Sequence, residues 1–399
     1  MKGLDSFLSF LLMIGIASFP VYVFPSGSLQ PSHMLIASFS FLVFLRHRFL
    51  VTSWGSLFLV FCYWSFVIEA SYTILGQSPS WIINAIFFIF NWLAACAVYR
   101  FCVRDGLAPV AAGITIAALI AIIAVMVTGF NLRDISITGR ATGTFNNPNQ
   151  LGFFSVCLLS ITFLMYRTGH FSYWHSAALF GVAIFLSILS LSKAAMIANA
   201  AVVLIAMKPA NSKFSFAIWS GSLVVTLSIL AVLFLRGYFD EYMFLQRLSG
   251  LRQEDDSSLA SRGYFAIFQG NSIQLLVGIG AERVHRIVGH EVHSTFASVA
   301  NLYGLIGLTL FGSIFLIWAV RLKRTFGFGG LLCIAMPSLL YGVTHNGTRF
   351  TIFWLLFAVS LAAARRCELS RQDSRLKNHP KGRRSSTANG MKPALTAVR

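Results

Sequence analysis

The chain has 399 residues, of which 56% are hydrophobic and only 11% charged, with a formal net charge of +18 and a mean hydropathy of +0.73. Soluble proteins carry about 25% charged residues, so this composition excludes an ordinary soluble globule. The excess of positive charge does not indicate nucleic-acid binding. Ten of the 31 basic residues lie in the tail from Arg365 to Arg399, and most of the rest lie in short loops between apolar runs. That distribution is the one membrane topology produces, with Lys and Arg kept on the cytoplasmic side.

A bilayer core requires about 20 apolar helical residues. Runs of that kind predict an all-α polytopic membrane protein with about twelve transmembrane helices, near residues 6–24, 32–45, 50–70, 81–99, 107–129, 149–166, 172–190, 192–207, 214–235, 295–320, 328–344 and 348–364. The first segment reads as an uncleaved helix rather than a signal peptide, because Lys2 is offset by Asp5. Residues 172–207 read as two helices meeting at "SLSK"; one long helix would put the Arg321–Arg324 cluster and the basic tail outside. With two helices, 21 of the 31 basic residues fall inside and both termini are cytoplasmic. The outer side then holds a loop at 130–148, a tight turn at Lys193, a large loop at 236–294 containing short helices, and the turn "THNGTR" at 344–349. Residues 1–364 form one membrane domain, and 365–399 a basic cytoplasmic tail expected to be disordered. None of the six cysteines falls in an expected outer loop, so no disulfide framework or CxxC metal pair is present.

The spans are nearly free of ionisable groups; Glu69 and Lys193 sit at expected outer ends. Ion-coupled transporters place such groups near the midplane, so this pattern weighs against a transporter. The polar residues gather instead at the outer boundary. "GRATGTFNNPNQLGFF" at 139–154 ends a loop and starts a helix, with Asn149 a possible cap. Its Arg140 suits a lipid-headgroup contact or an anion site, and Lys193 suits snorkelling or pairing with an anion. "RQEDDSSLASRGYFAIFQG" reads as a helix capped by Asp256 or Ser257, with Leu259, Tyr264, Phe265 and Phe268 on one face and Arg262 within it. The carboxylates just before it could equally pair with Arg262. Tyr238, Phe239, Tyr242 and Phe244 fit an interfacial aromatic belt or a sugar-stacking surface.

His293 stands at the mouth of the tenth expected helix, close to His285 and His290. HEVH does not have the HExxH spacing of zinc proteases, and a third ligand is not evident. An imidazole at the mouth of a cavity suits general-base work, and a structural histidine fits the position as well. Several cations on one face of a membrane repel each other unless an anion joins them, and a phosphate or pyrophosphate fits. A lipid-linked pyrophosphate reaches such a site from within the bilayer and carries an activated leaving group.

"RATGTFNNPNQLGFF", "SLSKAA", "SRGYFAIFQGNSIQLLVGIG" and "HSTFASVANLYGLIGLTLF" resemble, in order, the motifs of the O-antigen ligase superfamily, over most of residues 110–320. The resemblance implies a GT-C-like membrane glycosyltransferase at the outer face of the bacterial inner membrane. It would take a glycan from undecaprenyl pyrophosphate and pass it to an acceptor sugar hydroxyl, on lipid A–core in the ligases or on a growing glycan in the polymerases. It implies no metal and no cofactor. Arg140 and Arg262 would bind the pyrophosphate, and His293 would be the base or orient the acceptor. Lys193, Asn147, Asn149 and Glu69 complete the candidate substrate-binding set. Two positions depart from the pattern: Lys193 stands where many relatives have arginine, and Ser294 where asparagine is common. A lipid-linked-sugar flippase and a noncatalytic membrane scaffold are the contrasting readings.

Overall fold

The structure is a computed structural model that describes residues 2–25, 28–47, 52–128, 141–206, 259, 262–290, 292–347 and 349–378. Among these residues every regular element is a helix. They are α1 (Lys2–Ala17), α2 (Pro31–Arg46), α3 (Ser53–Ile74), α4 (Ile83–Asp105), α5 (Ala108–Thr128), α6 (Pro148–Arg167), α7 (Tyr173–Ser190), α8 (Lys193–Ala206), α9 (Ser272–Val277), α10 (Ala281–Val288), α11 (Thr295–Ile334), α12 (Met336–Thr344) and α13 (Thr351–Asn378). Single 3-10 turns occupy Pro79–Ile82 and Ala266–Gln269. Six stretches are long and apolar enough to cross a membrane: α3, α4 with its leading 3-10 turn, α5, α6, α7, and the run Thr295–Thr344 formed by α11 and α12. α1, α2 and α8 are apolar but shorter. The architecture is that of an α-helical membrane protein.

Local chemistry explains where the helices end. α1 stops at Ala17, short of the expected residue 24. Pro20 has no N–H to give, and its ring would clash with the carbonyl four residues back. α6 is capped by Asn147, whose side chain accepts from Gln150 N at 2.9 Å, with Pro148 in the first helical position. The cap is therefore Asn147, not Asn149 as the sequence suggested. α7 and α8 are separate helices, as expected, parted at Leu191 in the left-handed region (φ 47°). α13 continues past the expected boundary at 364 to Asn378. Arg366 donates to Val103 O at 2.9 Å, Arg371 to Thr325 O at 3.4 Å, and Arg365 pairs with Glu368 at 3.2 Å, so these charges hold the added turns in place. The expected ninth span, 214–235, and the end of the tail from 379 lie outside the described residues, as do Asp256, Ser257 and the aromatic cluster at 238–244.

α6 and the first half of α13 form the centre. Every residue from 351 to 364 is buried, which is the pattern of a helix surrounded on all sides. An aromatic seam sets the register of α13 against α3. Phe58 stacks on Trp354 at 4.4 Å, and Trp54 meets Phe357 edge-on at 5.3 Å. The two helices are antiparallel, so Thr351, about one turn before Trp354, lies opposite the middle of α3. At 1.5 Å per residue that point is about 18 Å short of the end of α3 at Ile74.

The fifty residues Thr295–Thr344 would reach about 75 Å as one straight helix. Their ends meet instead: Thr295 Oγ1 donates to His345 O at 3.1 Å. The chain is non-helical at Gly304 (φ 68°) and Gly327 (φ 74°). Gly327 is the reversal. Shortly before it, Arg321 reaches Ser53 at the start of α3, while Thr344 has returned to the start of α11.

Gly304 is a crossing. A Cβ placed there would stand 2.1 Å from Leu276 O, and one on Gly278 would stand 2.1 Å from Leu302 O. Two backbones touch with no room for a side chain between them. The break leaves helical carbonyls without their usual donors, and each finds another. Asn301 O accepts from Ile279 N at 2.8 Å, and Tyr303 O from Trp64 Nε1 at 3.0 Å. Gly278 O accepts from the Tyr72 hydroxyl at 2.6 Å. Irregular backbone beside a membrane span survives only when it is re-satisfied in this way.

Candidate functional site

The last turn of α12 receives Arg262 and Asn149, and the residue after His293 binds it too. The terminal carbonyls of a helix have no intrahelical donors. Here three side chains supply them. Ser294 Oγ donates to Gly342 O at 3.3 Å, the Tyr264 hydroxyl to Val343 O at 2.6 Å, and Arg262 Nη1 to Thr344 O. Ser294 Oγ also lies 2.8 Å from the Tyr264 hydroxyl and caps α11 by accepting from Ala297 N at 3.3 Å. One Arg262 N–H is used at Thr344, and a guanidinium has five.

The segment around Arg262 differs from the helix expected there. Residues 262–265 form a turn, followed by the single 3-10 turn Ala266–Gln269. Asn301 Nδ2 donates to Gly263 O at 2.7 Å and holds this turn against α11. Leu259, Phe265 and Phe268, expected on one apolar helix face, are each more than half exposed.

His293 is exposed, next to the capping Ser294 at the head of α11. Its ring stacks on His290 at 4.8 Å, with 17° between the planes. The turn that follows α12 closes the other side. Thr295 N and Oγ1 both donate to His345 O, at 3.3 and 3.1 Å, and Gly347 N donates to Thr295 Oγ1 at 3.0 Å. Because α13 begins opposite the middle of α3, this turn and the head of α11 are sunk within the bundle.

Two more candidates approach the same turn. Asn149 O accepts from the Tyr341 hydroxyl at 2.7 Å, and the Tyr341 ring is 4.7 Å from His345. Lys193 opens α8, which packs against both α12 and α6. The N-termini of α6, α8 and α11 thus converge near the C-terminus of α12, and helix N-termini favour negative charge.

Glu69 is placed differently from expectation. It is 1% exposed and lies inside α3 rather than at an open outer end. Tyr303 and Asn84 flank it, and it lies within the field of Arg349. Arg349 Nη2 donates to Asn84 Oδ1 at 3.1 Å. Glu69 Oε1, Asn84 Nδ2, the Tyr303 hydroxyl and both Asn91 amide atoms have no hydrogen-bond partner among the described residues. Asn84, Asn91, Ser298, Tyr303, Asn346 and Arg349 share one cavity. Glu69 is therefore linked to Arg349 of the turn after α12 through Asn84 and not to the Arg262–Ser294 contacts at α12.

Asn147 spends its side-chain oxygen on capping α6. The neighbouring polar residues of the motif are also used structurally: Thr144 Oγ1 donates to Pro20 O, and Asn146 Nδ2 to Phe24 O at 3.2 Å. Arg140 lies outside the described residues; the next residue, Ala141, donates its N–H to Leu189 O at 2.9 Å. Sequence reasoning named Tyr264 only as part of an apolar face and Ser294 only as a departure from the motif, and passed over Tyr341 and Arg349. Two signals were present: an N-cap serine directly after His293, and a short polar turn carrying an arginine between two apolar runs.

The arrangement offers an exposed imidazole, the Arg262 guanidinium bound at the same last turn of α12 as the residue that follows the imidazole, and helix N-termini packed around that end. Those are the parts needed to hold an anion and accept a proton beside it. Comparison with known protein families and with curated proteins returns no match to the chain.

Proposed function

We propose that this protein is a membrane glycosyltransferase of the O-antigen ligase type. It moves a glycan from undecaprenyl pyrophosphate to an acceptor sugar hydroxyl on lipid A–core, without a metal or cofactor. The observation that carries the reading is that Arg262 and Ser294, the residue directly after His293, both bind the last turn of α12. They lie in two separate family-like motifs, and the last turn of α12 joins them through Thr344 O and Gly342 O. In this reading Arg262, with Arg140, grips the pyrophosphate, and Lys193 and Asn149 line the approach. His293 takes the proton of the acceptor hydroxyl or orients it as the bond from the anomeric carbon to the pyrophosphate oxygen breaks. The pyrophosphate leaves on its lipid carrier, its charge held by the guanidinium groups. The reading carries a twelve-span, GT-C-like architecture in the bacterial inner membrane, with both termini cytoplasmic and the site facing the periplasm.

The test is a glycan profile of a deletion strain complemented with wild type or with His293→Ala. Polymer accumulating on the lipid carrier with bare lipid A–core is the expected result for a ligase. Loss of polymer with accumulation of single lipid-linked repeat units assigns a polymerase instead. An unchanged profile removes both and returns weight to a flippase or scaffold. Purified His293→Ala is expected to bind lipid-linked donor nearly as wild type does, while Arg262→Ala loses binding as well.

A further inference from the structure

Residues 264–277, "YFAIFQGNSIQLLV", carry no charge. Ala266 and Ile267 are buried, and Leu275 and Val277 pack on the core. Phe265, Phe268, Ile273 and Leu276 point the other way, at 52, 69, 69 and 50% exposure. Four large apolar side chains so displayed along fourteen residues would be unusual on a loop bathed in water.

The position of the segment supplies their surroundings. Leu276 O abuts Gly304, inside the apolar run Thr295–Thr344, and Gly278 O is held by Tyr72 near the end of α3. Leu305 and Ile306, directly after the crossing, are outward-facing and apolar as well, and so are Tyr63 and Phe66 on α3. The loop patch is thus continuous with the outer faces of two membrane-crossing stretches. The polar boundary comes just after it. α10 bears Glu282, Arg283, His285 and Arg286. Glu282 accepts from Ser78 N at 2.8 Å, and His285 packs on Trp81 at 5.8 Å, a residue type that favours the membrane–water interface. Arg283 reaches back to Gln274 Oε1 (2.9 Å) and Gln269 O (3.0 Å), and so ties the charged helix to the apolar segment.

We infer that the segment from Phe265 to Val277 lies in the outer part of a lipid leaflet, with Phe268, Ile273 and Leu276 among the acyl chains and α10 at headgroup level. This is the arrangement of an interfacial amphipathic element. The occupant of the patch is lipid, not a second protein. The inference does not depend on the transfer chemistry. It makes this part of the loop a lipid-facing wall that begins three residues after Arg262.

The experiment is site-directed spin labelling. Cys367 is the only cysteine that is not buried, so a Cys367→Ser chain serves as background. Phe268→Cys, Ile273→Cys and Leu276→Cys are labelled and reconstituted in phosphatidylethanolamine–phosphatidylglycerol vesicles. Phe66→Cys on α3 and Arg286→Cys on α10 are the lipid and water benchmarks. Accessibility to oxygen and to a water-soluble nickel chelate is read by power saturation. Positions 268, 273 and 276 are expected to follow position 66, with oxygen access several-fold above nickel access, and position 286 to show the reverse. Nickel access at 268, 273 and 276 overturns the inference. Exclusion of both reagents also overturns it and assigns the patch to a protein partner. Nickel access at position 66 removes α3 from the membrane and the inference with it.

Discussion

Gly304→Ala isolates the crossing on which the site rests. The added Cβ would stand 2.1 Å from Leu276 O, 2.3 Å from Leu276 C and 2.5 Å from Gly278 N, all backbone atoms that no rotamer change can move. An ordinary contact needs more than 3 Å, so the two chains must part by about 1 Å. Holding an alanine at φ 68° costs about 1–3 kcal/mol. Parting the chains also stretches Ile279 N to Asn301 O and Trp64 Nε1 to Tyr303 O, now 2.8 and 3.0 Å. Each is worth about 1 kcal/mol net. The total is about 4 kcal/mol, or a fall in Tm on the order of 5 °C. Thermal unfolding in detergent, followed by size-exclusion chromatography of the surviving monomer, measures it. Gly312→Ala is the control: its Cβ meets nothing within 4 Å, and helix propensity makes it neutral or stabilising by up to about 1 kcal/mol. A Gly304→Ala protein that melts within a degree or two of wild type refutes the crossing.

Ser294→Ala removes an N-cap and the donor to Gly342 O. A loss of about 1–2 kcal/mol is expected in the same melting assay; under the proposed function, glycan transfer in vivo falls further because His293 adjoins the loosened turn. Asn84→Leu takes away one acceptor of the Arg349 guanidinium; a loss of about 1.5–3 kcal/mol is expected in the same melting assay. His47 has a pH signature. Burial, together with the charges of Arg104, Arg46 and Arg100, holds its pKa below the ordinary histidine range, and Arg104 Nη1 lies 2.9 Å from its Nδ1. The folded chain binds a proton there less readily than the unfolded chain does. As pH falls below about 6.5 the unfolded chain binds a proton that the folded chain refuses, so stability present above that pH is lost toward the folded pKa. The Tm of wild type should drop more than that of His47→Gln between about pH 7.5 and about pH 5.5; parallel profiles would clear His47 of this role.

The sequence by itself determined that this is a helical membrane protein and placed nearly all its described helices, because apolar runs and their breaks are local properties. Pro148 after Asn147, Leu191 between α7 and α8, and Gly327 between two apolar runs each mark an end that the chain reads from its neighbours. It also singled out Arg262 and His293, since charge and imidazole stand out among so few polar residues. Tertiary structure alone decided where those groups sit. The aromatic register of Phe58 with Trp354 sinks the turn after α12 into the bundle, and no local pattern encodes that depth. The pairing of Gly278 with Gly304 is likewise a contact between distant segments, and without a partner each glycine reads only as a weak helix residue. The same holds for Glu69, which the sequence set at an open helix end and the packing of α3, α4 and α11 buried beside Tyr303 and Asn84. Burial depends on which helices become neighbours, and that is settled only when all of them pack together.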